Sequence, residues 1–198
     1  MRGASKPPFE IVAIAASAGG LNALTRILST LPATFNAGIV VVQHLDPRHR
    51  SLMAEIIGRR SSLPVRQAVA GSHIKAGHVY LAPPDRHLLI NRDGSVSLTQ
   101  TELVNFVRPS ADLLFESVAA SYGERAIAVV LTGSGRDGSI GVTAIKQRGG
   151  TVIAQDEDTS EFFSMPSAAI RTGVVDFVLP LDEISTALLN LLGTVGSD

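Results

Sequence analysis

The feature that most constrains this chain is a repeated change of hydrophobic period, from apolar runs of strand length to the 3.6-residue spacing of amphipathic helices. The first change lies in FEIVAIAASAGGLNALTRIL, where Ile11 to Ala16 predicts a buried strand and the apolar positions from Leu21 to Leu31 recur at helical spacing. Further buried strands are predicted in GIVVVQHL, AIAVVLTG, TVIAQD and VDFVLP, each followed by a predicted helix. This alternation predicts an α/β fold with a doubly wound, mostly parallel sheet and helices on both faces.

The middle of the chain departs from this alternation. A polar, arginine-rich helix is predicted from Arg50 to Arg60, followed by shorter strands in LPVRQAV, GHVYLAPP and HLLINRDGSVSLT. In the last of these, Asp93 and Gly94 stand between alternating segments, which is a strong hairpin signal. We therefore predict that this region forms a small antiparallel edge hairpin or a flap.

Length and composition limit the organisation and the partners. With 198 residues, of which 45% are hydrophobic, the chain is long enough to bury a full core, and we expect one domain over 9–195 after a disordered lead-in over 1–8. The formal net charge of -1 gives no overall basic field, so no nucleic acid is expected as a partner. No apolar run approaches ~20 residues and no signal-peptide core is present, so we expect a cytoplasmic protein without direct membrane insertion.

Three strands predicted to be buried end in a polar residue. Ser17 follows IVAIAA, His44 follows GIVVVQ, and Asp137 lies in LTGSGRDGSIG after AIAVVL. In a doubly wound sheet, ligands bind beyond the carboxyl ends of the strands. If these strands are neighbours, a hydroxyl, an imidazole and a carboxylate enter one cleft and supply the nucleophile, the general base and the acid of a hydrolytic triad.

Each of these residues also has a purely structural interpretation. A serine before a helix is more often an N-cap than a nucleophile. His44 has an alternative as a hydrogen-bonded histidine at a strand end, and Asp137 has one as the cap of the helix in SIGVTAIKQ. Their joint position at three strand ends favours the triad over three separate structural roles.

The turn at Ser17 has a second functional interpretation, because a strand–turn–helix unit can bind phosphate at the helix N-terminus. When the dinucleotide fingerprint G-x-G-x-x-G is aligned with its last glycine on Gly20, its first two glycines meet Ala15 and Ser17. The second predicted strand ends in His44 instead of an acidic residue, and no G-x-x-x-x-G-K-[ST] loop is present. The phosphate interpretation is therefore the weaker one.

Cysteine, histidine and arginine usage narrows the chemistry further. The chain has no cysteine, which excludes disulfides, thiolate metal sites and cysteine nucleophiles. The other histidines lack metal-ligand spacing and are interpreted as surface residues in turns, so no metal and no cofactor are expected: His49, His73, His78 and His87. Five arginines cluster in sequence and predict either a solvated helix face or, if they line the cleft, an acidic polypeptide partner: Arg48, Arg50, Arg59, Arg60 and Arg66.

Six segments occur in an order that resembles the catalytic domain of the chemotaxis protein-glutamate methylesterases, the CheB family. They are IAASAGG, VVQHLDP, LAPPDRHLLI, RPSADLLFESVA, LTGSGRDGSIG and FFSMPSAAI. The likeness runs from about Phe9 to the C-terminal helix. Six ordered motifs are far more specific than any one of them.

The resemblance implies roles for individual residues. Ser17 corresponds to the nucleophile, His44 to the base and Asp137 to the buried acid. The family hydrolyses glutamate methyl esters on the cytoplasmic helices of methyl-accepting chemotaxis receptors, and many members also deamidate receptor glutamines, so these helices are the expected partner. Backbone amides near Ala18 and in the turn that contains Ser134 are the expected oxyanion donors.

The chain departs from the family at several points. Ala18 stands where threonine is often found, and Ser134 stands where methionine is common. Family members usually carry a receiver domain before the esterase, so we expect an excised catalytic domain or a free-standing esterase, with any receiver domain acting in trans. Two other classes stay open: a nucleotide-binding regulatory domain with the same fold, and a noncatalytic receptor-binding module, against which the intact set of three residues argues.

Overall fold

A computed structural model describes residues 9–45, 48 and 51–193. The predicted lead-in over 1–8, His49, Arg50 and the last two residues of the predicted domain, 194–195, lie outside the described residues.

Strands and helices alternate over most of the described chain. The strands are β1 (Ile11–Ala16), β2 (Gly38–Gln43), β3 (Val65–Gln67), β4 (Val79–Leu81), β5 (His87–Ile90), β6 (Val96–Thr99), β7 (Ala126–Val130), β8 (Thr151–Gln155) and β9 (Phe177–Leu179). The helices are α1 (Gly20–Thr30), α2 (Met53–Gly58), α3 (Ala111–Tyr122), α4 (Ser139–Gln147), α5 (Ser164–Ile170) and α6 (Leu181–Leu191), with a short 3-10 turn at Gly123–Arg125.

The main sheet is parallel and doubly wound, as predicted. Within the described residues it contains seven strands in the order β3-β4-β2-β1-β7-β8-β9. From the central strand β1, the chain adds β2, β3 and β4 on one side, with β4 between β2 and the edge strand β3, and later adds β7, β8 and β9 on the other side. The winding therefore reverses between β1 and β7, and ligand clefts form at such a reversal, beyond the carboxyl ends of the strands.

An apolar core covers each face of the sheet, because side chains alternate across the strands. Ile14 of β1 belongs to the core formed with α1, α2 and α6, whereas Ala15 belongs to the core formed with α3, α4 and α5. Strands β1, β2 and β7 are buried along their whole length. Burial on both faces explains their continuous apolar sequence, and the predicted placement of helices on both faces is confirmed.

The predicted hairpin forms, but it does not extend an edge of the main sheet. β5 and β6 make a separate two-stranded antiparallel sheet, while β3 and β4 join the main sheet as parallel strands at its edge. Gly94 adopts φ +79° in the turn between β5 and β6. Leu88 and Val96 of the hairpin pack into the core on the α3 side, so the hairpin covers a face of the sheet.

Helix α2 is shorter than the predicted helix over 50–60. It spans Met53–Gly58, and its residues Met53 and Ile57 are buried in the core. The arginines at positions 59 and 60 follow the helix instead of forming its face. The apolar positions, not the arginines, therefore fix where this helix lies.

Candidate active site

Ser17 and His44 are the first residues beyond two neighbouring strands. β1 and β2 pair in register up to Ala16 and Gln43, and the His44 amide donates a hydrogen bond of 3.1 Å to the Ala16 carbonyl. By the alternation of side chains, position 17 continues the face of Ala15, which α3 and α4 cover. The register therefore places Ser17 and His44 side by side at one edge of the sheet.

Ser17 lies in the turn between β1 and α1. The N-cap of α1 is Gly19, with φ +78°, and no side chain caps the helix. The Ser17 amide donates to the Thr132 carbonyl at 3.0 Å, and the Ser17 carbonyl accepts from the Gly20 amide at 2.9 Å. The Ser17 hydroxyl forms no hydrogen bond with another described residue, so the N-cap interpretation is wrong and Oγ is available for chemistry.

His44 and Asp137 form a direct hydrogen bond. Nε2 of His44 lies 2.8 Å from Oδ2 of Asp137, and their side chains are 12% and 3% exposed. With the carboxylate ionised, Nε2 carries the proton of this bond, and the lone pair on Nδ1 is the basic site of the imidazole. The carboxylate thus fixes both the tautomer and the orientation of the ring.

Asp137 is held by the N-terminus of α3. Its carboxylate accepts hydrogen bonds from Ser110 Oγ at 2.9 Å, from the Ala111 amide at 2.6 Å and from the Asp112 amide at 3.2 Å. Burial is the largest single influence and raises the pKa of Asp137, but the hydrogen bonds from His44 and from the Ala111 and Asp112 amides, together with the electrostatic attraction of His44, lower the pKa from its ordinary value. Asp137 is therefore a buried carboxylate that stays ionised.

The alternative role of Asp137 as the cap of α4 is wrong. The N-cap of α4 is Gly138, with φ +99° and no side-chain cap. The Asp137 carboxylate turns instead toward the start of α3, where it meets unpaired amides of a different helix. A sequence pattern can identify a capping residue, but it does not say which helix that residue caps.

Ala18 and Ser134 lie on the two turns that flank Ser17. A Cβ added at Gly133 would stand 2.8 Å from the Ser17 Cβ, so the turn after β7 touches Ser17. Neither the Ala18 amide nor the Ser134 amide donates a hydrogen bond within the described part of the chain. Free backbone amides on both sides of a hydroxyl suit the stabilisation of an oxyanion.

The structure corrects the interpretation of one further histidine. His73 is exposed and His78 is partly exposed, in keeping with surface positions, but His87 is completely buried in β5. Nδ1 of His87 accepts from the Ser110 amide at 3.1 Å, and Nε2 donates to the Glu102 carbonyl at 2.9 Å. His87 therefore supports Ser110, a residue that in turn donates to Asp137.

The arginine cluster and the phosphate interpretation are both tested beside the turn at Gly19. The described arginines of the cluster are exposed: Arg48, Arg59, Arg60 and Arg66. Arg60 lines a groove of about 410 Å³ next to Gly19, so one cluster member borders the cleft.

The side chain of Glu161 lies against Gly19, at 3.0 Å from the position of a Cβ there. A carboxylate at this helix N-terminus disfavours phosphate by charge repulsion.

The sequence analysis did not predict the ion pair between Arg108 and Asp85, which lies on the other side of the site. Nε and Nη2 of Arg108 donate to Oδ1 of Asp85 at 2.9 and 2.6 Å, and the Arg108 guanidinium lowers the pKa of Asp85. With the exposed Phe106, these residues line a cavity of about 180 Å³ beside His44. Arg108 lies within the quoted segment RPSADLLFESVA, so a signal was present, but its partner is distant in sequence.

Two further features of the described residues bear on metal binding and membrane insertion. No three histidine, aspartate or glutamate side chains in this part of the chain converge as metal ligands would. No helix in the same residues combines the length and the apolar character that crossing a membrane requires.

Known proteins resemble this chain in sequence and in structure. The family model for CheB methylesterase matches residues 12–188. A protein-glutamate methylesterase/protein-glutamine glutaminase of Moorella thermoacetica is 42% identical over 195 residues, which cover 96% of this chain and 46% of that protein, so the chain spans about half of this relative. A relative from Leptospira interrogans is 41% identical over 183 residues, covering 92% of this chain and 95% of that protein.

A solved structure supports the same assignment. The crystal structure of the Thermotoga maritima CheB methylesterase catalytic domain superposes with a TM-score of 0.89 at 40% sequence identity, covering 92% of this chain and 98% of that one. Its fold is therefore the fold described above. The chain belongs to the CheB methylesterase family.

Proposed function

We propose that this chain is a serine hydrolase that removes methyl esters from glutamate side chains of chemoreceptors and also deamidates glutamine side chains there. The observation that carries the proposal is the buried hydrogen bond between Asp137 and His44, beside a Ser17 hydroxyl without a described hydrogen-bond partner. Membership of the CheB methylesterase family supports this choice of reaction. Ser17 is the nucleophile, His44 the base and Asp137 the orienting acid.

Acylation proceeds by proton transfer and attack. Nδ1 of His44 removes the proton from Ser17 Oγ as Oγ bonds to the ester carbonyl carbon. Negative charge develops on the carbonyl oxygen, where the amides of Ala18 and Ser134 donate hydrogen bonds. The bond to the methoxy group then breaks, the methoxy oxygen takes the proton from His44, and methanol leaves. Asp137 stabilises the transient imidazolium.

Deacylation uses the same groups with water as the nucleophile. A water molecule gives a proton to Nδ1 of His44 as its oxygen bonds to the acyl carbon. The bond to Ser17 Oγ breaks, Oγ recovers the proton, and the glutamate side chain is released as a carboxylic acid that loses its remaining proton to solvent. With a glutamine side chain, ammonia leaves in the first step in place of methanol.

Concave surfaces on both sides of the site suit a side chain that is presented on a polypeptide. The cavity of about 180 Å³ beside His44 and the groove of about 410 Å³ beside Gly19 flank the turn at Ser17. Exposed apolar side chains, Phe106 and Leu21, line them. The partners proposed here are the cytoplasmic helices of methyl-accepting receptors, with the cytoplasm as the location and a receiver domain acting in trans.

The test measures methanol release from a methylated receptor fragment. Ser17→Ala is expected to lower the turnover rate by at least about 10³-fold, because loss of a triad member leaves only the contributions of binding and the oxyanion site. Ser29→Ala, at an exposed serine of α1, is the matched control and retains activity. Activity retained by Ser17→Ala overturns the role of the nucleophile. A wild-type protein whose Ser17 reacts with a phosphonate probe, but which releases no methanol, overturns the substrate.

A further inference from the structure

We infer that Gln43 is a positioning residue whose side-chain amide ties the backbone of Ser17 to the backbone of His44. This inference rests on the proposed function, in which these two residues are the nucleophile and the base. Nε2 of Gln43 donates to the Ser17 carbonyl at 2.7 Å and to the His44 carbonyl at 3.0 Å. A primary amide has two N–H donors, so both of them are used.

The two hydrogen bonds from the Gln43 amide form a bridge between Ser17 and His44. This bridge lies where the backbone pairing of β1 and β2 stops. The last rung joins the His44 amide to the Ala16 carbonyl, after which one chain turns into α1 and the other enters the loop before α2. Among the hydrogen bonds of the described residues, the Gln43 amide is the connection that links Ser17 with His44 beyond that rung. It therefore restricts how far the two residues can separate.

The oxygen of the same side-chain amide, Oε1, is placed unfavourably by this arrangement. Gln43 is 7% exposed, and its Oε1 is buried without a hydrogen-bond partner in the described structure. An unpaired buried acceptor is unfavourable, and an apolar side chain of the same length would avoid it. The reversed orientation would point Oε1 at two carbonyl oxygens. The observed orientation is thus explained by the two donated bonds.

The bridge also explains a glycine of the turn. A Cβ at Gly20 would overlap Oε1 of Gln43, although Gly20 does not have a positive φ. In the pair Gly19-Gly20, the first glycine is therefore required by backbone conformation, and the second by the Gln43 side chain together with the Ala16 Cβ, which would stand 2.8 Å from a Cβ at Gly20.

A positioning role predicts a change in kcat without a matching change in KM. A misplacement of reacting groups by about 1 Å costs about 10²-fold in rate. Gln43→Met keeps the length of the side chain and removes both donors, so we expect kcat to fall by about 10-fold to 100-fold while KM stays within about threefold. The control is Gln147→Glu, at an exposed glutamine of α4, which is expected to leave kcat unchanged.

A pH profile separates positioning from general destabilisation. Gln43→Glu preserves the shape of the side chain. When protonated, the introduced carboxyl donates one of the two bonds, and when ionised it repels both carbonyls. Buried carboxyls titrate as high as pH ~8–9, so the ratio of the variant's kcat to the wild-type kcat should fall at least about fivefold from pH ~6 to ~8.5. A merely structural role leaves this ratio constant.

The measurements are methanol release from a methylated receptor fragment and the rate at which a phosphonate probe modifies Ser17. Slower labelling of Gln43→Met, together with the falling ratio for Gln43→Glu, supports the inference. A kcat within about threefold of wild type for Gln43→Met overturns it, and so does a constant ratio for Gln43→Glu, which decides the matter if Gln43→Met does not fold. The labelling rate tests the role of Gln43 independently of the proposed substrate. If the wild-type protein is labelled but releases no methanol, only the proposed substrate is rejected.

Discussion

Asp112 and Asp137 each cap the helix to which the other is attached. Asp137 directly precedes the N-cap of α4, and it accepts from the Ala111 amide at the start of α3 at 2.6 Å. Asp112 lies in the first turn of α3, and it accepts from the amides of Ile140 and Gly141 at the start of α4 at 3.0 and 2.8 Å. Two buried carboxylates thus join the helix N-termini, and the place of Asp137 beside His44 depends on both.

The two carboxyl groups lie in opposite electrostatic environments. Burial raises the pKa of Asp112, and the neighbouring charge of Asp137 raises it further. Burial acts in the same direction on Asp137, but His44 and the amides at the start of α3 together lower its pKa. The fold therefore favours the ionised form of Asp137 and shifts Asp112 toward its protonated form.

Asp112→Ala is expected to lower the free energy of unfolding by about 2–4 kcal/mol, because the amides of Ile140 and Gly141 and the Asn105 side chain lose a buried acceptor. Asp112→Asn retains an acceptor oxygen and should cost less than half as much. Since the folded-state pKa is raised, the contribution of this titration is full at low pH and is lost as pH rises through that pKa. The stability of wild type relative to Asp112→Asn should therefore decrease with pH. Urea unfolding between pH ~4 and ~8 checks this, and an increase would contradict it.

Asp137→Asn has the opposite pH signature. The folded-state pKa is lowered, so ionisation of Asp137 stabilises the fold above the pKa of the unfolded chain, and this contribution is lost as pH falls through the folded-state pKa. Wild type should be more stable than Asp137→Asn at pH ~7 by about 1–3 kcal/mol, with a difference that shrinks below pH ~4. The same urea series measures it. A difference independent of pH would show that Asp137 is not a stabilising carboxylate.

The sheet and the location of the candidate site could be predicted because both have local signals. A continuous apolar run is typical of a parallel strand buried on both faces. Ser17 and His44 follow directly after such runs, and Asp137 lies in the turn after a third run. The rule that ligands bind beyond strand carboxyl ends then selects these residues, on the condition that their strands are neighbours. In the structure β2, β1 and β7 are neighbouring strands, so the residues that follow them lie at the same edge of the sheet.

The supporting residues could not be predicted, because their roles depend on packing between distant segments. His87 is the first residue of a hairpin strand, and nothing in HLLI distinguishes an exposed histidine there from a buried one. Its burial follows from the packing of the hairpin near α3, where the Ser110 amide meets its ring. The Asp93-Gly94 signal likewise predicts how two strands pair, but not which surface they cover. Gln43 is the last residue of a buried strand, and no hydrophobic periodicity predicts the hydrogen bonds that its side-chain amide donates.

Ser17 and His44 should lose activity as a unit. If His44 removes the proton from Ser17, each residue needs the other, so the double variant Ser17→Ala/His44→Ala should be within about threefold of the more impaired single variant. Methanol release from a methylated receptor fragment measures all three rates. The pair Ser29→Ala and His73→Ala, at exposed positions, is the control for nonspecific loss. Losses that multiply in the double variant would contradict a shared catalytic step.

Ser134→Met should keep the turnover rate within about tenfold of wild type, or about 1.4 kcal/mol of barrier. The Ser134 side chain is exposed and forms no hydrogen bond with a described residue, so its proposed contribution to the oxyanion is the backbone amide, which survives a change of side chain. Methanol release by purified Ser134→Met, with folding matched to wild type by circular dichroism, is the measurement.

The neighbouring glycines should be less tolerant, for two different reasons. Gly135 has φ +91°, which an alanine adopts only with strain, so Gly135→Ala misaims the Ser134 amide. Gly133 has no positive φ, but a Cβ there would overlap Met165 Sδ and stand 2.8 Å from the Ser17 Cβ, so Gly133→Ala displaces Ser17 itself. Gly133→Ala should therefore slow labelling of Ser17 by a phosphonate probe as well as methanol release. If Ser134→Met abolishes turnover while both glycine variants remain active, the Ser134 hydroxyl has a direct role and the assignment to the backbone is wrong.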